Sequence, residues 1–159
     1  MKLHLADAAA TAELAERLNS ALPADTAGWS LLLEGELGAG KSTFARALIV
    51  AMGHRGTVPS PTYTLVEPYQ LPGRIVYHID LYRIADEGEL RYLGWTELED
   101  GFRLVEWPDR APSLLQVADL VIRLGYAEQG RDAEIKGLSA RGSEVIAQMA
   151  STSDSQLQD

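Results

Sequence analysis

The stretch Gly35-Glu-Leu-Gly-Ala-Gly-Lys-Ser42 constrains this chain more than any other. It fits the template of a glycine, four free positions, then Gly-Lys-Ser. Successive backbone N–H groups in such a loop wrap phosphate oxygens, and the helix that follows turns its positive end toward them. Lys41 is expected to reach the β- and γ-phosphates of a nucleotide, and Ser42 to hold Mg²⁺ through its hydroxyl. The cradle thus comprises Gly35, Glu36, Leu37, Gly38, Ala39, Gly40, Lys41, Ser42 and Thr43. Its flanks suit the motif. Trp29 to Glu34 is a near-continuous apolar run of the kind found in buried parallel strands. After the loop, Phe44, Ala47, Leu48 and Ala51 follow helical spacing, and Gly53 is a natural stop.

A chain of 159 residues suits one domain with its own core, here placed over 1–150. The polar end, 151–159, reads as a disordered tail. There is no cysteine, so a disulfide framework and thiolate metal sites are excluded. No apolar run is long enough to span a membrane, and the N-terminus lacks a signal pattern. A cytoplasmic location, with no membrane partner, is the expectation. The net charge of −9 opposes a broad electrostatic grip on nucleic acid, which needs clustered Lys and Arg.

Along the chain, Met1 to Leu5 reads as a short edge strand or lead-in. Asp7 is a fair N-cap for a helix with Leu14, Leu18 and Leu22 on one face. Thr11 reads as an exposed residue of that helix's first turn. Thr62 to Tyr69 and Arg74 to Asp80 read as strands joined at Pro72-Gly73, an antiparallel hairpin. Asp86 to Trp95 suggests one or two helical turns with a break at Gly94. Gly101 to Trp107, Ala118 to Leu124 and Asp132 to Leu138 read as strands, and Ser143 to Met149 as a short helix.

Binding phosphate is only half of a hydrolase. A carboxylate at the end of a neighbouring strand is also needed, to support the metal and to orient water. Asp80 and Glu106 each close an apolar strand, and spacing alone leaves open which does what. Thr62 lies where threonines sense a γ-phosphate in switch-type proteins, and equally reads as an ordinary hydroxyl at a strand start. His78 reads as a packed strand residue. Trp107-Pro108 either seals the site or simply packs. Arg83 and Arg110 read as surface ion-pairing residues within reach of phosphate.

Four motifs in register, GELGAGKST, SPTYTLVEPY, VYHIDLYR and LVEWPDR, closely resemble the bacterial TsaE (YjeE) family over about Leu3 to Met149. That family consists of small P-loop ATPases needed to make threonylcarbamoyladenosine at position 37 of tRNAs that read ANN codons. The resemblance implies an α/β, three-layer P-loop NTPase domain with a mixed, central β-sheet, and ATP and Mg²⁺ as ligands. Ser42 stands where the family usually has Thr, with the hydroxyl kept. By the same resemblance Glu106 is the second metal-side group, Asp80 activates water, and Thr11 and Arg131 contact the adenine side. In the family, TsaD transfers the threonylcarbamoyl group with TsaB as a supporting partner. TsaE acts on their complex, so tRNA is reached through partners. A small-molecule kinase would need an acceptor pocket and an Arg-rich lid, and no compact Arg cluster follows the P-loop. A guanine-nucleotide switch would need Asn-Lys-x-Asp, and the only Asn, Asn19, precedes the loop.

Overall fold

A computed structural model describes the backbone of residues 1–155 and the side chains of residues 1–152. Seven strands form one sheet in the order β1-β7-β6-β2-β5-β4-β3. They are β1 (Lys2–Leu5), β2 (Ser30–Glu34), β3 (Val66–Leu71), β4 (Arg74–Asp80), β5 (Phe102–Glu106), β6 (Leu120–Tyr126) and β7 (Arg131–Gly137). The four central strands, β4, β5, β2 and β6, run parallel, while β1, β7 and β3 pair antiparallel at the two sides. The sheet is therefore mixed. The parallel strands are the most apolar, as burial on both faces requires: every residue of β5 is buried, and β2 is buried up to Glu34.

Side chains alternate across a strand, so each central strand feeds two cores. Leu31, Leu33, Leu104, Leu120 and Ile122 face one side, where α1 (Ala8–Ala21), α2 (Lys41–Ala51) and α3 (Ala140–Ser155) cover them with Leu14, Leu18, Phe44, Leu48, Val145 and Met149. Leu32, Ile79, Val105 and Val121 face the other. That face is covered by four short 3₁₀ segments, Glu87–Leu93, Trp95–Asp100, Pro108–Arg110 and Pro112–Gln116. Leu90, Leu93, Trp95, Leu98 and Leu114 supply its apolar contacts.

Asp7 caps α1 as expected, accepting from the Ala10 N–H at 2.9 Å. The β3–β4 hairpin forms with Leu71 opposite Arg74, so Pro72-Gly73 is its two-residue turn. Its first strand starts later than the sequence suggests, at Val66 rather than Thr62. Leu65 is in the left-handed region (φ 68°), its N–H bonds to the Pro61 carbonyl at 2.7 Å, and Thr62 is turned toward Asp80. Thr62 to Leu65 thus form a turn in front of the strand. Pro68, which cannot donate to a ladder, sits on this edge strand where its missing N–H is tolerated.

The final helix is longer than Ser143 to Met149. It begins at Ala140, where the Ser139 hydroxyl accepts from the Gly142 N–H at 3.0 Å, and a Cβ on Gly142 would stand 1.9 Å from the Asp119 carbonyl oxygen. Only glycine allows that approach. Of the residues read as a tail, Ser151–Ser155 continue this helix, and the rest lie outside the described residues.

Candidate active site

The parallel strands place their C-terminal ends at one pole, where ligands gather in open α/β sheets. β2 runs through Glu34 into the Gly35–Gly40 loop, and α2 begins at Lys41. The loop presses against the end of β6: a Cβ on Gly35 would lie 2.6 Å from the Leu124 carbonyl oxygen. A tight turn with Ala39 N–H bonded to Glu36 O at 3.0 Å gives the loop its shape, and Leu37 stands out at its tip, 76% exposed.

Lys41 is buried. Its ammonium donates to the carbonyls of Gly35 and Glu36 and lies 3.9 Å from the centroid of the Trp107 ring. Burial lowers its pKa, opposed by the nearby carboxylates of Glu106, Asp109 and Asp80. The cation is thus held inside the loop it serves. Trp107 also packs against Tyr82, with ring centroids 5.0 Å apart.

Asp80 and Glu106 are brought together by the register of β4 and β5, in which they are paired. Glu106 Oε1 accepts from the Ser42 hydroxyl at 2.8 Å, and Oε2 contacts His78 Nε2 at 2.6 Å. His78 and Glu106 are 1% and 2% exposed at their side chains. A carboxylate only accepts, so Nε2 carries the proton. Nδ1 is buried with no partner among the described residues. His78 is buried, as its strand position suggested, and it also fixes Glu106. Sequence could not show this, because the two are 28 residues apart and meet only through strand pairing.

Asp80 has other neighbours. Oδ2 accepts from the Thr62 hydroxyl at 3.0 Å, and Oδ1 from the Tyr82 N–H at 2.9 Å. The Thr62 hydroxyl is itself 2.8 Å from that of Ser60. Arg83 and Arg110, read from sequence as ion-pairing residues, lie over the rings of Tyr63 and Tyr82, at 5.1 and 5.4 Å from the centroids.

Thr11 is buried, at 8% exposure, and not exposed as its place in the first helical turn suggested. The cause is tertiary: β1 and β7 bring the start of α1 against the P-loop. Thr11, Gly38, Gly40, Thr43, Gly130 and Arg131 line one cavity of about 320 Å³ there. Arg131 donates to Gly38 O at 3.2 Å and to Gly130 O at 2.8 Å. The two residues for which sequence spacing offered no role therefore stand at the same mouth of the loop.

The donor set beside Ser42 suits a hard cation. Its hydroxyl and Glu106 supply adjacent oxygens, and Asp80 lies at the paired position on the next strand. Among the described residues no group of three His, Cys, Asp or Glu side chains could cage a metal. A cation held here would have the Ser42 hydroxyl and Glu106 as its nearest protein oxygens.

Comparison with known proteins shows the family. The family profile described as "Threonylcarbamoyl adenosine biosynthesis protein TsaE" matches residues 5–134. A Haemophilus influenzae protein named tRNA threonylcarbamoyladenosine biosynthesis protein TsaE is 40% identical over 116 residues, 72% of this chain and 73% of that one. A protein of the same name from Nostoc sp. is 37% identical over 153 residues, covering 92% and 91%. Among solved structures, that of Bacillus subtilis YdiB superposes with a TM-score of 0.75 over 96% of this chain and 95% of that one, at 23% identity, which speaks to the fold. The chain belongs to the TsaE family of tRNA threonylcarbamoyladenosine biosynthesis proteins.

Proposed function

We propose that this chain binds ATP with Mg²⁺, hydrolyses it, and thereby supports threonylcarbamoyladenosine formation on tRNA by acting on a TsaD–TsaB-like complex. The observation that carries the reading is the Ser42–Glu106 hydrogen bond of 2.8 Å. It joins the first turn of the P-loop helix to a strand-end carboxylate, which is where a nucleotide-bound cation needs two protein oxygens.

The residues divide the work by position. The loop from Gly35 to Thr43 offers backbone N–H groups to phosphate, and Lys41 exchanges the carbonyls of Gly35 and Glu36 for the β- and γ-phosphates. Ser42 and Glu106 would hold Mg²⁺, with His78 fixing the carboxylate. Mg²⁺, when bound, neutralises charge on the phosphates. Asp80, one strand over, orients the attacking water, and Thr62 holds its carboxylate in place. Thr11 and Arg131 face the base in the 320 Å³ cavity. Trp107 forms a wall beneath Lys41 and limits water there.

The net charge of −9 supports a protein that leaves tRNA contact to its partners. No helix among the described residues is long and apolar enough to cross a membrane. The chain alone should turn over slowly. Arg83 and Arg110 rest on tyrosine rings, and a supplied arginine raises P-loop turnover by about 10³–10⁵ in other systems. The test is the ATPase rate of the chain alone, with tRNA, and with a TsaD–TsaB-like complex. Stimulation by the complex and none by tRNA alone is expected. Fast turnover alone, or strong salt-sensitive tRNA binding without partners, would contradict the reading.

A further inference from the structure

Tyr126 is the last residue of β6 and continues the Leu120, Ile122, Leu124 face, the side on which the P-loop and its helix lie. Past the core, its ring emerges beside the loop, half exposed. The hydroxyl donates to the Leu37 carbonyl at 2.6 Å. It comes so close to the next residue that a Cβ on Gly38 would stand 2.7 Å from it. Gly38 also has φ 78°, a backbone conformation in which a side chain would be strained.

Arg131 is the cross-strand partner of Tyr126 in the β6–β7 ladder. Its guanidinium lies 4.6 Å from the centre of the Tyr126 ring and donates to the Gly38 carbonyl. Two consecutive carbonyls of the loop, those of Leu37 and Gly38, are thus held from outside by one stacked pair. In a trans peptide the N–H points opposite to the C=O. Holding the Leu37 carbonyl outward turns the Gly38 N–H away from Tyr126 and back into the loop. Holding the Gly38 carbonyl outward turns the Ala39 N–H inward, where it closes the turn on Glu36 O.

We infer that Tyr126 is a positioning residue for the phosphate cradle: its hydroxyl sets the Leu37–Gly38 peptide so that the Gly38 N–H faces the phosphate side, and Arg131, stacked on its ring, sets the Gly38–Ala39 peptide whose N–H closes the turn on Glu36. This rests on the nucleotide-binding reading of the loop. It makes a demand that a merely structural tyrosine would not meet, namely that the effect follows the phosphates and not the base.

The test compares the full chain with Tyr126→Phe, which keeps the ring and the stacking and removes only the hydroxyl. Affinities for ADP and for AMP are measured by calorimetry with Mg²⁺ present, beside the melting temperature. ADP affinity is expected to fall about 3- to 10-fold, the size of one lost neutral hydrogen bond. AMP, which carries no β-phosphate for the cradle, should bind as it does to wild type. The melting temperature should stay within a degree or two. Tyr126→Leu, which also removes the ring beneath Arg131, should lose more ADP affinity than Tyr126→Phe. Unchanged ADP affinity in Tyr126→Phe, or an equal loss for AMP and ADP, overturns the inference while leaving the nucleotide site standing. Failure of the wild-type chain to bind ADP at all overturns the site reading, and this inference with it.

Discussion

Asp80 and Glu106 are paired across the parallel β4–β5 ladder, yet their carboxylates hold separate sets of partners. Glu106 bonds Ser42 of the P-loop helix and His78, whereas Asp80 bonds Thr62 and the Tyr82 N–H. Glu106 is therefore tied to the helix after the glycine loop, and Asp80 to the loops that border it. Asp80→Asn should cut turnover by about 10²–10⁴-fold, the usual contribution of a positioned acid–base group, and spare ATP affinity. Glu106→Gln should weaken Mg²⁺-dependent binding as well as turnover. Steady-state kinetics with direct ATP titrations would separate the two, and the reverse pattern would mean the roles are exchanged.

Ser42 is the second oxygen beside Glu106. Ser42→Thr keeps the hydroxyl and should be nearly silent. Ser42→Ala should lose most of the Mg²⁺ dependence of nucleotide binding. Titrating ATP over a range of Mg²⁺ concentrations checks this. Equal Mg²⁺ dependence in Ser42→Ala and wild type would place the cation elsewhere.

The opposite pole of the sheet carries a prediction about stability. Asp119 is buried just before β6 and accepts from Ser139, from Arg141 and from the Ser30 N–H. Burial pushes its pKa up, but those hydrogen bonds and the Arg141 charge together outweigh it, so the carboxyl sits below its ordinary value. The stability it contributes is therefore present above the unfolded pKa of about 4 and lost as pH falls through the lower folded value. Asp119→Asn should destabilise by about 1–3 kcal/mol at pH 7, since it leaves buried donors underserved. The gap from wild type should narrow below pH 4. Urea melts at pH 7 and at pH 3 would measure it, and a gap that widens in acid would contradict the assignment.

What the sequence made legible was local. The strand, glycine loop and helix around Gly35–Ser42, the Asp7 cap and the Pro72-Gly73 turn each depend on residues within a few positions of one another, and all three form as read. Asp80 and Glu106 were legible as strand ends because an apolar run that stops at a carboxylate is itself a local pattern. What escaped depends on strand order. Thr11 is buried because β1 and β7 lie beside the P-loop. Thr62 is drawn out of the strand by a carboxylate 18 residues away. Tyr126 bonds a carbonyl 89 residues back. Glu106 finds His78 only across a ladder. No periodicity or spacing carries such pairings; the TsaE resemblance implies adenine-side contacts for Thr11 and Arg131, and none for Tyr126.

If Gly35–Thr43 is a working nucleotide cradle, Lys41 is its cation. Calorimetric titration of Mg-ATP into wild type and into Lys41→Ala, with folding of both checked by circular dichroism, tests it most directly. A charge-assisted phosphate contact from Lys41 would be worth about 1.5–3 kcal/mol, so its loss should weaken binding about 10- to 100-fold. Near-wild-type affinity in a folded Lys41→Ala variant would contradict the account.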